Sequence, residues 1–228
     1  MYLLAGGNWK HPGAIVPLFE KIFAGNGLEH PRLAYIGTAS GDAFAFFKLF
    51  EVFLKKAGAV TVTRALLASA KADVAQARKV LDEADVVFVS GGDVEEGIYW
   101  LDRHGLMDFF HELHDRGKLF MGLSAGSIML GTHWVRWKNP EDDSTAELFD
   151  CLGLAPLLCD MHAEEDGWDE LQVAVERLGP EGIGYGVPAG GILCVSADGA
   201  LTALEKPIAC FENRQGKVEK VHDLLPIG

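Results

Sequence analysis

The sequence predicts an α/β fold: a three-layer sandwich with a mostly parallel central sheet and C-terminal antiparallel hairpins. In the first half of the chain, short apolar or β-branched runs alternate with amphipathic stretches, the pattern of βαβ units in a parallel sheet. Near the C-terminus, strand patterns are separated by Asp-Gly and Gln-Gly turns, which are typical of hairpins. With 228 residues, 49% of them apolar, the chain suits one domain with a sizeable core, so we expect a single domain over residues 1–228.

The first half is expected to contain five strands with helices between them. Several boundaries have a physical reason: Pro12 suits a first helical turn, Asp42 can cap a helix, and Gly58 and Gly117 suit helix ends. The apolar or β-branched runs predict strands at 1–6, 32–37, 59–66, 85–90 and 118–123. The amphipathic stretches predict helices at about 13–25, 42–57, 71–83, 94–102 and 105–116.

The second half opens with a polar stretch after Val135, RWKNPEDDSTAE, which we interpret as an exposed loop. The apolar run at 157–161 predicts another strand that ends, at His162, on the same sheet edge as the earlier strands. A helix is expected at 167–178. The antiparallel hairpins, on one sheet edge, are expected from strands at about 182–187, 191–196, 200–204, 207–212 and 217–222.

Composition excludes several classes of function. The chain has 20 basic and 33 acidic residues, and its net charge of −13 repels nucleic acid and anionic membrane surfaces. No apolar run reaches the roughly 18 residues of a membrane span, and the start, MYLLAGGNWK, has no signal-peptide pattern, so we expect a cytoplasmic protein. The cysteines have no CxxC spacing, so we expect buried free thiols and no metal site; they are Cys151, Cys159, Cys194 and Cys210.

The strongest chemical signal is the segment GLSAG around Ser124. It follows a buried-strand pattern and precedes a helix-compatible run, which is the context of a G-x-S-x-G nucleophile turn. Such a turn lifts the hydroxyl above the carboxyl ends of the strands, where the amide of Ala125 can stabilise an oxyanion. The alternative is a glycine-rich crossover whose serine only caps the following helix.

A second turn, Ser90-Gly91-Gly92-Asp93, also follows an apolar strand and precedes a helix. Two glycines allow a backbone amide to face a ligand, so Gly92 can supply the other oxyanion donor. The alternative is an ordinary strand-to-helix turn. If the two strands are neighbours, both turns lie at the carboxyl edge of the sheet, where open α/β sheets bind ligands.

A serine nucleophile needs a base within hydrogen-bond reach, and His162 is the best candidate among the eight histidines. It ends an apolar run that should be a strand terminating at the same edge. The alternative is a histidine that is satisfied by local backbone groups.

These motifs together resemble the dipeptidase E and cyanophycinase family of serine peptidases, whose domain is related to the class I glutamine amidotransferases. The resemblance covers most of the chain and rests on LLAGG, YIGTAS, the SGG turn, GLSAGS and LCDMH. It implies an acyl-enzyme at Ser124, with His162 as base and then acid. It also implies an oxyanion and substrate-binding site formed by Gly91, Gly92, Asp93 and Ala125. The implied substrates are short aspartyl dipeptides or isopeptide-like bonds, and no metal or organic cofactor is implied.

The chain departs from that family at two positions. The family often has Gly-Asn where this chain has Gly92-Asp93, which brings a negative charge near the proposed oxyanion. The acidic partner of the histidine corresponds here to Ala189, and loss of that carboxylate lowers kcat by on the order of 10⁴-fold in other triads. The replacement acids that remain open are Asp160, Glu164, Glu165 and Asp166 beside His162, and Asp142 and Asp143 in the polar stretch.

Three functions remain open from the sequence: a serine peptidase for short peptides, an altered or inactive relative that binds a small metabolite or peptide, and an amidase acting on a non-peptide amide. Arg136 can meet a substrate carboxylate. A homodimer is also open, and its interface would use Trp134, Trp137 and Trp168 as exposed aromatic residues.

Overall fold

The computed structural model describes residues 1–6 and 12–226, which form two compact units. The N-terminal unit comprises the described residues 12–126, and the C-terminal unit comprises residues 1–6 and 127–226. No helix in the described part of the chain is both long and apolar enough to span a bilayer. The assignment of one domain to the whole chain stays a prediction.

Most elements lie where the sequence predicts them, with ends that shift by a few residues, but the two strands between residues 133 and 150 were not expected. The strands are Tyr2–Leu4 (β1), Arg32–Ile36 (β2), Thr61–Ala65 (β3), Val86–Val89 (β4), Leu119–Leu123 (β5), His133–Trp137 (β6), Ala146–Asp150 (β7), Leu158–Met161 (β8), Ile183–Val187 (β9), Ile192–Val195 (β10), Leu201–Leu204 (β11), Ala209–Arg214 (β12) and Lys217–Lys220 (β13). The helices are Val16–Gly25 (α1), Phe44–Lys56 (α2), Val74–Glu83 (α3), Val94–Arg103 (α4), Met107–Asp115 (α5), Ala125–Leu130 (α6) and Asp169–Arg177 (α7). Short 3-10 helices lie at Pro12–Ile15, Thr38–Ser40 and Asp143–Thr145.

The N-terminal unit is built on four parallel strands in the order β5-β4-β2-β3. Strand β4 is buried along its whole length, as expected for a parallel strand covered on both faces. The carboxyl ends of β4 and β5 are adjacent, because Val89 pairs with Gly122. This pairing brings the two predicted turns, after Val89 and after Leu123, to the same edge.

Helices cover both faces of this parallel sheet. Phe88 of β4 contacts Phe50 of α2, with ring centroids 5.6 Å apart. Phe120 of β5 contacts Phe110 of α5, with ring centroids 6.0 Å apart. Phe120 pairs with Val87, the chain neighbour of Phe88, and successive residues of a strand point to opposite faces. Helices α2 and α5 therefore lie on opposite faces, as a three-layer sandwich requires.

The C-terminal unit contains three sets of strands. Strands β1, β10 and β11 are antiparallel, with β10 in the middle. Strands β13, β12, β9 and β8 follow one another in a second sheet, in which β8 and β9 are parallel and the other pairs are antiparallel. Strands β6 and β7 form a separate hairpin. The predicted α/β class, with a mostly parallel sheet and C-terminal antiparallel hairpins, is confirmed.

Three sequence-based expectations about this unit are wrong. Strand β8 pairs with β9 rather than joining the four parallel strands of the N-terminal unit. The C-terminal hairpins belong to two sheets rather than to one edge, since β11 pairs with β10 and β13 with β12. The polar stretch after Val135 is only partly a loop, because Arg136 and Glu147 face each other across the β6-β7 hairpin. Strand pairing depends on distant residues, which a local pattern does not reveal.

Two residues expected at a dimer interface belong to the interior instead. Trp134 is 6% exposed and Trp168 is 7% exposed. The ring of Trp168 lies against Gly186, where an added Cβ would be 2.6 Å from it. Trp137 is half-buried, and its Nε1 donates a hydrogen bond to Asp143 at 3.0 Å. Of the three tryptophans, only Trp137 keeps substantial exposure.

The expected helix ends are found, but one expected cap is not. Gly58 and Gly117 follow α2 and α5 with left-handed φ values of +114° and +81°. Asp42 does not cap α2, whose N-cap residue is Ala43. The Asp42 carboxylate instead accepts hydrogen bonds from the amides of Leu67 and Ala68, both at 2.7 Å. The free thiols of Cys151, Cys159 and Cys210 are buried, while that of Cys194 is partly exposed.

Candidate active site

Ser124 lies at the turn between β5 and α6, in the context that the sequence predicts. Its φ of +52° is in the left-handed region, which side chains rarely adopt. The residue is half-buried between two buried neighbours, Leu123 and Ala125. A strained serine on a sharp strand-to-helix turn is the local geometry of a nucleophile turn.

Gly126 shows why this turn needs a small residue after the serine. A Cβ atom built on Gly126 would lie 2.1 Å from the carbonyl oxygen of Val89, at the end of β4. Any side chain here would therefore clash with backbone rather than with a movable group. The glycine allows the chain to enter α6 in direct contact with the neighbouring strand.

The turn after β4 lies beside Ser124, as predicted from the pairing of β4 with β5. A Cβ atom built on Gly91 would lie 3.1 Å from Ser124 Cβ and 3.6 Å from Ser124 Oγ. Gly92 has a φ of +146°, and a Cβ there would lie 1.9 Å from the carbonyl oxygen of Ala39. Close approach therefore requires glycine at position 92, whereas a side chain at position 91 would be in tight contact with Ser124. Among residues 1–6 and 12–226, no acceptor is bonded to the amides of Gly91 and Gly92.

The carboxylate of Asp93 is used to cap a helix. Asp93 is the N-cap residue of α4, and its Oδ1 accepts a hydrogen bond from the amide of Glu96 at 2.8 Å. A negative charge is favourable at this position because it satisfies a free amide and faces the positive end of the helix dipole. The charge that distinguishes this chain from Gly-Asn relatives is therefore compensated locally.

His162 lies in the C-terminal unit, directly after β8. Its backbone φ is +51°, so the strand ends at a sharp change of direction. Its amide donates to the carbonyl oxygen of Val187, at the end of β9, at 2.9 Å. The side chain is exposed. The histidine therefore follows a strand, as predicted, although that strand belongs to the second sheet of this unit.

The acids that the sequence left open as partners of His162 are placed differently. Glu164 Oε1 accepts a hydrogen bond from the amide of Ala189 at 3.0 Å. Asp142 accepts from the amide of Ser144, and Asp143 from Trp137 Nε1, each at 3.0 Å. Asp166 Oδ1 accepts from the amide of Trp168 at 3.3 Å. Among these carboxylates, Glu164 is the one bonded at the position where the family resemblance places an acid.

Asp160 has a property that the sequence does not reveal. It is 5% exposed, and its Oδ1 accepts a hydrogen bond from the amide of Met161 at 2.7 Å. Burial raises the pKa of Asp160 from 3.8 to about 7, and the charges of Glu170 and Asp166 act in the same direction. An aspartate two residues before a proposed catalytic histidine therefore holds its proton more tightly than an ordinary carboxyl group.

Arg136 pairs within its own hairpin. Its Nε donates to Glu147 Oε1 at 2.9 Å, across the β6-β7 ladder. This contact does not support the suggested role in binding a substrate carboxylate. In the described part of the chain, no group of three or more histidine, cysteine or acidic residues is placed to hold a metal ion.

The comparisons with known proteins agree on one family. The model of peptidase family S51 matches residues 1–202. Peptidase E of Haemophilus influenzae (strain PittGG) is 24% identical over 144 residues, or 60% of this chain and 61% of the relative. Peptidase E of Shewanella amazonensis is 28% identical over 138 residues, or 59% of this chain and 55% of the relative. The chain thus matches less than two thirds of the length of these curated relatives.

Two solved structures have a similar fold over nearly the whole chain. A peptidase from an acI-B1 actinobacterium superposes with a TM-score of 0.72 at 15% identity and covers 96% of both chains. A protein provisionally assigned as Peptidase E from Listeria monocytogenes EGD-e superposes with a TM-score of 0.62 at 16% identity. The superposition covers 97% of this chain and 98% of the Listeria chain. At these identities the likeness concerns the fold alone.

Proposed function

Because the chain belongs to peptidase family S51, we propose that it is a serine peptidase with Ser124 as its nucleophile. The observation that carries the proposal is the backbone of Ser124, with its φ of +52° between β5 and α6. A non-glycine residue keeps such a conformation only where its surroundings enforce it. The close approach of Gly91 to the Ser124 side chain gives further support.

In the proposed reaction, Ser124 Oγ attacks the carbonyl carbon of the scissile bond while His162 takes the hydroxyl proton. The tetrahedral intermediate collapses, and His162 gives that proton to the leaving amine, which leaves an acyl-enzyme. Water, deprotonated by His162, then attacks the acyl carbonyl carbon, and the acid product is released as His162 returns the proton to Ser124 Oγ. The amides of Gly92 and Ala125 would stabilise the oxyanion, and Gly91 and Asp93 complete that segment.

We propose short aspartyl dipeptides or isopeptide-like aspartyl bonds as the substrates. The support is the resemblance of the LLAGG, SGG, GLSAGS and LCDMH segments to dipeptidase E and cyanophycinase, together with the curated Peptidase E relatives. The chemistry at the carbonyl is shared with amidases, so substrate class must be measured rather than inferred from the fold.

The test is active-site labelling combined with turnover. Wild-type protein treated with a fluorophosphonate probe should be labelled on Ser124, as located by peptide mass spectrometry, and it should release aspartate from an Asp-Leu dipeptide. Ser124→Ala should reduce both the labelling and the release of aspartate to background, because both depend on the Ser124 hydroxyl as the nucleophile. Ser69→Ala is the matched control, since it removes an exposed hydroxyl in the same unit. Equal labelling of Ser124→Ala and wild type would exclude Ser124 as the nucleophile.

A second function is favoured by the alanine at position 189. A relative without a carboxylate at this position can retain the site for binding a small metabolite or peptide while losing turnover. This alternative predicts no hydrolysis across a panel of aspartyl dipeptides, but a saturable rise in melting temperature with one of them. Turnover of any dipeptide that depends on Ser124 would rule it out.

A further inference from the structure

The turn that begins at His162 is joined to the end of β9 and to the segment that follows it. Strands β8 and β9 are in parallel register up to the pair Met161 and Val187. The next amide, that of His162, donates to the Val187 carbonyl oxygen at 2.9 Å. Two residues later, the Glu164 carboxylate accepts from the amide of Ala189 at 3.0 Å. The Glu164 contact thus continues the attachment of this turn to β9 after the strand has ended.

The backbone of His162 needs such an attachment. Its φ of +51° is unfavourable for any residue with a Cβ atom, and a strained conformation persists only where neighbouring contacts hold it. Without the Glu164 contact, the turn after His162 loses its side-chain hydrogen bond to the segment that follows β9. Because the imidazole is attached to the backbone of this turn, a movement of the turn displaces the proposed base.

The segment that Glu164 holds is itself fixed within the C-terminal unit. The amide of Gly190 donates to the carbonyl oxygen of Gly6, and that of Gly191 to the carbonyl oxygen of Pro188, both at 2.7 Å. Position 189 therefore lies in a hydrogen-bonded turn that is joined to Gly6 through the amide of Gly190. The Glu164 carboxylate joins the turn after His162 to the segment around position 189. An acidic side chain at position 189 that binds the histidine would join the same two segments.

We propose that Glu164 is the positioning residue for His162, acting through its hydrogen bond to the backbone of Ala189. The inference rests on the proposed function, in which His162 is the general base. The bond needs an acceptor oxygen but not a negative charge, so a glutamine at 164 should preserve it. The role of the family's acid is thus transferred from a side chain at 189 to one at 164 that binds the backbone at 189.

The test compares Glu164→Ala with Glu164→Gln, and uses Glu176→Ala as the control for loss of an exposed carboxylate in the same unit. With the Asp-Leu dipeptide, Glu164→Ala should lower kcat by on the order of 10- to 100-fold, the usual effect of a displaced catalytic group, and change KM less than about 3-fold. Glu164→Gln should stay within about 3-fold of wild type, with an unchanged pH profile. Glu176→Ala should match wild type.

A second measurement does not depend on activity. Amide hydrogen exchange, followed by NMR, should accelerate at His162 and Ala189 in Glu164→Ala and remain slow in Glu164→Gln. Wild-type kcat in Glu164→Ala, or unchanged exchange at both amides, would overturn the inference. Equal losses in Glu164→Ala and Glu164→Gln would also overturn it, because the charge rather than the bond would then matter. If wild type itself shows neither labelling nor turnover, the proposed function fails, and the exchange experiment still decides the role of Glu164.

Discussion

At the scale of single residues, the two side chains proposed to carry the chemistry share an unusual backbone. Ser124 and His162 have φ values of +52° and +51°, a region in which residues other than glycine are strained. Each such residue costs on the order of 1–3 kcal/mol of folding free energy. Strain of this kind is common at functional sites, where the position of a side chain matters more than local stability.

This strain can be measured at Ser124. We expect Ser124→Gly to have a free energy of unfolding about 1 kcal/mol higher than that of Ser124→Ala, because only glycine adopts a left-handed φ without cost. Urea unfolding of both variants gives the difference. Ser69 is exposed and has no positive φ, so Ser69→Gly should have a lower free energy of unfolding than Ser69→Ala. Equal stability of Ser124→Gly and Ser124→Ala would mean that the turn is not strained.

Asp93 illustrates how one residue can have two possible roles in a sequence. Beside a proposed oxyanion, its charge is unfavourable if only chain proximity is considered. The bond to the Glu96 amide at 2.8 Å gives the carboxylate a different role, as the cap of α4. A cap residue is recognisable from sequence, since Asp93 precedes the helical run that begins at Val94.

At the scale of elements, the contact between α7 and the second sheet determines the environment of Asp160. Strand β9 has glycine at positions 184 and 186, and Cβ atoms there would lie 2.8 Å from Leu171 Cδ1 and 2.6 Å from the Trp168 ring. The glycines therefore allow the helix segment to approach the sheet closely. Asp160 pairs with Gly186, so it faces the same side and is buried beneath these residues.

The buried Asp160 should make stability depend on pH. Its folded-state pKa of about 7 lies above the unfolded value of 3.8, so the native state holds the proton more tightly. Stability from this group is therefore present at low pH and is lost as the pH rises from about 4 through 7. Asp160→Asn keeps an acceptor for the Met161 amide and removes the ionisation. The free energy of unfolding of Asp160→Asn, relative to that of wild type, should increase by about 2–3 kcal/mol between pH 5 and pH 8.

Urea unfolding at both pH values measures this advantage. Asp115→Asn, which removes an exposed carboxylate from α5, is the control. The free energy difference between Asp160→Asn and wild type should change with pH far more than the corresponding difference for Asp115→Asn. A constant difference for Asp160→Asn would show that the carboxylate ionises normally in the folded protein.

At the scale of the whole molecule, the charge balance defines which partners are disfavoured. A net charge of −13 repels phosphate backbones at low ionic strength. We therefore expect the fluorescence anisotropy of a labelled DNA duplex to stay constant on titration with the protein at low salt. A saturable rise that weakens as salt is added would indicate a basic surface that the total charge conceals.

Much of the candidate site could be predicted from the amino-acid sequence. Ser124, the SGG turn and the strand before His162 are recognised from residues that are close together in the chain, and their local structure follows. The choice of Glu164 among six candidate acids could not be predicted, because it depends on a contact between residues 25 positions apart. The raised pKa of Asp160 was equally hidden, since it arises from burial beneath α7.

The sequence by itself determined most of the strands and helices, the two glycine-rich turns and the serine between β5 and α6, because turn chemistry and hydrophobic periodicity act over a few neighbouring residues. The tertiary structure alone decided that β8 pairs with β9, that Trp134 and Trp168 are buried, and that Glu164 binds the backbone of Ala189. Strand partners and buried contacts are selected by packing between distant segments, and that selection is a property of the folded chain rather than of any local stretch.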